Sequence, residues 1–194
     1  MRSVIGRGSR PVDRRDRRAP EGSARMNIGG SDPFADPSWS RSPVRRFRGR
    51  LASGVTVWTA GRLEDPAGLT VSSMMVGEPS TIFGLMNDLT GLWDAIQSSG
   101  AFVVHILEWR DRVLAETFAG LRPSPGGMFA GLAVEESEWG PVLAGSPNRA
   151  FCRYSKASPA GYSQVVWGEI EHIETAELDD PLVNFRGRYR PLAP

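Results

Sequence analysis

The sequence predicts a mainly β domain with a few short helices, its strands wrapping into a closed or half-closed antiparallel barrel of Greek-key-like connectivity. Three observations lead there. Short runs rich in β-branched and aromatic residues recur from Val55-Thr-Val-Trp-Thr59 to Ser163–Ile173. Only two or three stretches carry helical periodicity, and all are short. Strands and helices do not alternate regularly, which argues against doubly wound and (β/α)8 designs.

The elements follow in order. A helix is expected over roughly 39–52, capped by Asp36 or Ser38, with Val44, Phe47 and Leu51 at helical spacing and Gly54 ending it. Val55–Thr59 reads as a strand and 61–68, with Asp65-Pro66, as a hairpin loop. Leu69–Ser73 is the return strand and Thr81–Met86 the next. The turn cluster Asn87–Gly91 precedes a helix over about 91–99, with Leu92, Ala95 and Ile96 inward and Gly100 as its stop. The continuous apolar run Ala101–Leu107 is the candidate central strand. A helix over Arg110–Phe118 is followed by a loop from Gly120 to Gly131. Strands are expected at Leu132–Val134, Arg149–Tyr154, Ser163–Ile173 and roughly Leu182–Leu192.

Charge divides the 194-residue chain. Residues 1–50 hold thirteen Arg and five acidic residues, a balance of +8, whereas 51–194 hold ten basic and seventeen acidic residues, a balance of −7. Residues 1–38 are rich in Arg, Gly, Ser, Pro and Asp and poor in aliphatics, so a disordered arm is expected there and a single domain over 39–194. No aromatic residues interleave the arginines, which argues against a nucleic-acid partner. No apolar stretch approaches a membrane span or a signal-peptide core. Cys152 is the only cysteine, so no intrachain disulfide forms and a cytoplasmic setting is expected. It reads as a small buried hydrophobe.

Several chemistries are excluded by absence. There is no G-x-G-x-x-G after a strand, no phosphate loop of the G-x-x-x-x-G-K-[ST] type and no G-x-S-x-G elbow. His105 and His172 are far apart and lack neighbours at ligand spacing, so no metal site is expected. His105 reads as buried in its strand and His172 as facing solvent. Trp93, Trp109 and Trp167 read as packing residues.

The sharper feature is Gly68-Leu-Thr-Val-Ser-Ser73. Thr70, Ser72 and Ser73 are either ordinary hydroxyls at a strand edge or neutral donors for the polar edge of a planar ligand. The helix opening near Thr90 offers free N–H groups to a phosphate. Asp88 and Asp94 oppose an anion there, so a compensating cation is needed, and Arg186 or Arg188 are the candidates. The alternative for Arg186–Arg190 is a solvated terminal strand.

Taken in order, Arg50–Thr59, Gly68–Ser73, Ser99–Leu107, Leu114–Gly120, Gly168-Glu-Ile170 and Pro181–Tyr189 resemble the flavin reductase-like family over about three quarters of the chain. The resemblance implies an FMN-binding split β-barrel, a homodimer, and hydride transfer from NADH or NADPH to FMN, with FAD or riboflavin as other possible flavins. It also implies a flavin-dependent monooxygenase as a possible partner. By resemblance Thr70, Val71, Ser72 and Ser73 line the flavin, Asp88 and Thr90 lie near its phosphate, and Phe118, Arg186 and Tyr189 lie around it. Two stretches depart from the family pattern. Gly161-Tyr162-Ser163 stands where many relatives carry Gly-Asp-His, and Gly77-Glu-Pro-Ser80 replaces a Ser-x-x-Pro-Pro stretch. Tyr162 is therefore the candidate catalytic residue, as a stacking wall. A non-catalytic flavin binder, for storage or sensing, is the alternative.

Overall fold

The computed structural model describes residues 42–192. The proposed arm and the caps Asp36 and Ser38 lie outside the described residues. Twelve strands and three α-helices run in the order α1 (Pro43–Arg48), β1 (Ser53–Gly54), β2 (Thr56–Arg62), β3 (Asp65–Val71), β4 (Met74–Gly77), β5 (Thr81–Met86), α2 (Gly91–Ser99), β6 (Ala101–Ile106), a 3-10 turn (Trp109–Asp111), α3 (Arg112–Phe118), β7 (Val134–Ser137), β8 (Gly140–Leu143), β9 (Arg149–Ala160), β10 (Ser163–Glu174), β11 (Val183–Phe185) and β12 (Arg188–Arg190).

Seven strands form one antiparallel sheet in the order β3-β2-β6-β9-β10-β5-β4. Its first and last members are consecutive in the chain, separated only by Ser72 and Ser73. One bent segment therefore pairs with β2 in its first half and β5 in its second, which closes the sheet into a split barrel. The run Ala101–Ile106 is central, flanked by β2 and β9, as its unbroken apolar sequence requires.

The barrel interior is filled from both sides. Trp58 and Phe102 stack at 4.8 Å with planes 6° apart. Two strand glycines make room for the pair. A Cβ on Gly84 would sit 3.0 Å from Trp58 and one on Gly168 2.5 Å from Phe102. Leu92 and Ile96 of α2 plug one end, and Thr90 caps that helix by accepting from Trp93 N (3.3 Å). Gly100 closes it at φ 69°. A second cluster, Val55, Val57, Leu107, Ala115, Phe118, Leu143 and Leu182, packs α3 and the chain's tail against the outside of β2.

The boundaries correct several expectations. The first helix is six residues long, because Ser42 caps it (Arg45 N to Ser42 Oγ, 3.2 Å) with Pro43 at its first position, and the chain turns at Gly49. Its Val44 and Phe47, and Leu51 beyond it, are exposed. The expected loop 61–68 is mostly strand, since Gly61 pairs with Pro66 and Arg62 with Asp65 around a two-residue turn. Pro66 is tolerated because β3 has a free edge. Strand β7 begins where a strand was expected to end. Strand β8 was not expected at all. The segment 120–131 is a loop, as expected, and Phe129 in it packs edge-on against Phe118 at 5.0 Å.

Candidate functional site

The Ser72-Ser73 bend is the seam of the barrel, and four segments meet around it. Strand β3 ends there, with Thr56 of β2 opposite Val71. Strand β5 ends beside it, where Leu85 N donates to Ser73 O at 3.0 Å. Strand β10 starts beside β5, with Gln164 opposite Met86. The tail reaches the same end, because Val55 N donates to Leu182 O at 2.9 Å and Gly54 pairs with Val183.

The three hydroxyls differ in what they have left to offer. Thr70 Oγ1 donates to Ala115 O of α3 at 2.7 Å. Ser73 Oγ donates to Leu85 O at 3.1 Å. Each has spent its one proton and can only accept from a ligand. The half-buried Ser72 has no side-chain hydrogen bond among the described residues and keeps a free O–H. Val71 points into the core.

At the next turn, Thr90 is committed to capping and donates to Asn87 O at 2.8 Å. Asp88 Oδ2 accepts from Gln164 Nε2 at 3.3 Å. Gln164 thus ties β10 to the turn, a contact the sequence did not suggest. Its place at the second pair of the β9–β10 hairpin is the only signal that could have found it. Tyr162 is at the tip of that hairpin, fully exposed, beside Gly161 at φ 65°.

The tail carries two arginines in a turn that packs on the end of α1, where Arg186 N donates to Gly49 O at 2.9 Å. Arg186 sits at φ 54° in the tight turn between β11 and β12, with its guanidinium 5.2 Å from the Phe185 ring. Arg186 and Arg188 have no acidic partner among the described residues. The Tyr189 hydroxyl is pushed up to about 12, by burial first and then by Glu116, so it stays a donor. Phe118 does not face the seam. It is fully buried under Gly68. Thr70, Ser72 and Ser73 share the seam, and Asp88 is tied through Gln164 to the strand beside it, whereas Thr90 is committed to its helix cap and the Arg186 turn packs on Gly49. Phe118 and the Val71 side chain stay inside.

These groups fit a flavin. The open hydroxyl of Ser72 would suit a carbonyl or ring nitrogen and the committed hydroxyls a ring N–H. A broad cleft of about 1380 Å³ lies elsewhere, between the β2–β3 hairpin, α2 and the β7–β8 hairpin. Its charged rim is Arg62, Glu64, Asp65, Asp94, Glu136 and Glu138. That charge repels a phosphate, and none of the candidate residues lines it.

The remaining singled-out residues are structural. His105 is buried, with Nε2 3.2 Å from Thr59 Oγ1. Thr59 donates to Pro141 O, so the imidazole N–H on Nε2 points at Thr59 and Nδ1 has no partner. Burial and then the Arg149 charge hold its pKa down to about 3. Burial, then Glu171, pushes the Cys152 thiol up to about 12, so it is an inert core atom. His172 is exposed beside Glu174. Trp93 and Trp109 pack on the two cores, but Trp167 lies on the barrel's outer face. Among the described residues no cluster of His, Cys, Asp or Glu can hold a metal, and no helix is long and apolar enough to cross a membrane.

Comparison with known proteins agrees with this geometry. The model of the flavin reductase like domain matches residues 48–193. The chain is 32% identical over 145 residues to the reductase component of 4-hydroxyphenylacetate 3-monooxygenase of Thermus thermophilus, covering 74% of this chain and 91% of that one. It is 30% identical over 157 residues to the NADH-dependent FMN reductase AsuE2 of Streptomyces nodosus subsp. asukaensis, covering 78% and 85%. The structure of flavin reductase PheA2 superposes with a TM-score of 0.70 at 29% identity, covering 78% of this chain and 97% of that one. With three quarters of its length matched, the chain belongs to the flavin reductase like domain family.

Proposed function

We propose that this chain is an NAD(P)H:flavin reductase that holds FMN at the barrel seam, works as a homodimer, and supplies reduced flavin to a flavin-dependent monooxygenase. The observation that carries this is the seam itself. One uncommitted donor, Ser72, lies between two hydroxyls that can only accept. The relatives named as a monooxygenase reductase component and an NADH-dependent FMN reductase support the reaction and the partner. The reductase domain spans 39–194 with 1–38 as an arm outside it, consistent with a family match that starts at residue 48. A cytoplasmic setting suits a chain whose single cysteine is a buried thiol.

The flavin, when bound, supplies the hydride-accepting chemistry. The protein's task is orientation. Ser72 fixes one edge of the ring by donation, and Thr70 and Ser73 fix the polarity of the neighbouring positions. Arg186 and Arg188 would supply the charge to neutralise the phosphate, and Asp88 is engaged by Gln164. Tyr162, solvent-exposed at a hairpin tip, is free to cover the nicotinamide as a stacking wall.

A second reading is a flavin binder without nicotinamide turnover. The replacement of Gly-Asp-His by Gly161-Tyr162-Ser163 favours it. Anaerobic mixing of the protein with FMN and NADH or NADPH separates the two. Bleaching of the flavin's visible band at catalytic protein concentration supports the reductase. Bound flavin that stays yellow supports the binder. Tyr162→Ala with unchanged flavin affinity and unchanged turnover would remove Tyr162 from the mechanism.

A further inference from the structure

The segment 121–131 leaves α3 at Gly120 and reaches β7 through Gly131, which stand at φ 70° and 76°. A Cβ at either glycine would meet nothing within 4 Å, so packing does not call for glycine there, whereas the left-handed backbone does. Two such positions at the ends of a loop can absorb the φ/ψ change of a hinge. Between them the segment has little polar attachment. Among the described residues its hydrogen bonds and ion pairs run within itself, to the adjoining Leu132, or to α3. Leu121 N donates to Glu116 O at 2.9 Å, and Arg122 Nη1 donates to Glu116 Oε2 at 3.2 Å. The far half is held by apolar contact. Phe129 and Met128 pack on the cluster around α3, and the Phe129 ring meets Phe118 edge-on at 5.0 Å.

That ring rests on the strand that carries the hydroxyls. Phe129 Cζ lies 3.2 Å from where a Cβ on Gly68 would stand. Gly68 and Thr70 share one face of β3, the face turned to α3, since Thr70 Oγ1 donates to Ala115 O. Phe129 is therefore one pleat repeat, about 7 Å, from the first candidate hydroxyl. Strand β3 lines the broad cleft from Asp65 to Gly68 and no further, with Met128 on the other side. The ring thus stands where the cleft stops, and the cleft gives the segment room to move. We propose that 121–131 is a hinged cover over this face of β3, pinned shut by Phe129, and that its opening at Gly120 and Gly131 controls the entry and exit of FMN. A reductase that supplies reduced flavin must release it at every turnover, and covers of this kind set such rates.

The inference rests on the seam as the flavin site and adds how that site opens. Stopped-flow mixing of the full chain with FMN, followed by flavin fluorescence, tests it. Phe129→Ala is expected to raise the association and dissociation rates alike, each roughly tenfold, the factor an edge-on aromatic pair carries, with Kd little changed. A rise in dissociation alone makes Phe129 a wall of the site and overturns the cover. Rates that both stay put overturn it too. Phe129→Leu, which keeps an apolar pin, is expected to fall between, and it carries the test if the alanine variant loses its far-ultraviolet circular dichroism. Hydrogen exchange of the flavin-free protein gives a second reading. Phe129→Ala is expected to speed exchange at Gly127, Ala130 and Leu132, whose amides bond to carbonyls of the segment, and to leave Ala101–Ile106 unchanged. Acceleration spread through the strands, or none in the segment, overturns the hinge. An unaltered chain that binds no FMN overturns the proposed function, and the exchange pattern then decides the hinge alone.

Discussion

Ser73 and Leu85 are joined twice: Leu85 N donates to Ser73 O at 3.0 Å, and Ser73 Oγ donates back to Leu85 O at 3.1 Å. The pair fastens the two ends of the barrel sheet. It also takes Ser73 out of competition as a donor, and the Thr70–Ala115 bond does the same for Thr70. Ser72→Ala is therefore expected to weaken FMN binding by about 1 kcal/mol, roughly fivefold, with Tm unchanged. Thr70→Val is expected to behave oppositely, lowering Tm by about 2–4 °C with a smaller effect on affinity. Flavin fluorescence titration and thermal melts check both.

Gly68 is buried against the ring of Phe118. A Cβ there would lie 2.6 Å from Phe118 Cδ1 and 3.2 Å from Phe129 Cζ. Phe118 is fully buried and has no room to retreat, so Gly68→Ala is expected to destabilise by about 2 kcal/mol, a fall in Tm of about 4–8 °C. Calorimetry of the variant measures it.

His105 gives stability a pH dependence. In the fold its pKa is held to about 3, while in the unfolded chain an ordinary imidazole takes up a proton near 6.5. Between these values the unfolded state binds more protons. The stability tied to His105 is thus whole above pH 6.5 and is lost as pH falls toward 3, with a slope of at most about 1.4 kcal/mol per pH unit. Urea unfolding between about pH 6.5 and 5, above the ordinary carboxylate range, is expected to show this slope. His105→Asn is expected to flatten it, whatever that variant's absolute stability.

Arg186 occupies a left-handed backbone position, φ 54°, followed by Gly187 at φ 72°. A side chain in this region costs about 1–2 kcal/mol. Arg186→Gly is expected to raise Tm by a few degrees. If its guanidinium meets the flavin phosphate, the same variant loses roughly tenfold in FMN affinity and nothing for riboflavin, which has no phosphate. Titrating both flavins against both proteins decides it. Equal losses would place Arg186 outside the phosphate site.

Local chemistry announced the elements that local chemistry controls. Thr90 and Gly100 bracket α2 as a hydroxyl cap and a left-handed stop, and Ala101–Ile106 is central because it is apolar apart from the buried His105. Tertiary context decided the others. Asp65-Pro66 looks like a turn but continues an edge strand, and Gly140–Leu143 becomes a strand by packing on β2, with a Cβ at Gly140 only 3.1 Å from Ala60 Cα. The hydroxyl cluster at 70–73 was visible by residue type. Which of its protons were already committed was not, because the acceptors Ala115 and Leu85 lie 45 and 12 residues away. Phe118 lies deep in the core for the same reason, since the residue above it is the distant Gly68.

Because a single bent segment belongs to both rims, neither half of the β framework unzips without the other. Breathing motions that open the strands flanking the bend must therefore disturb ladders on two sides. A cofactor gripped at that hinge, as proposed, would hold both rims together.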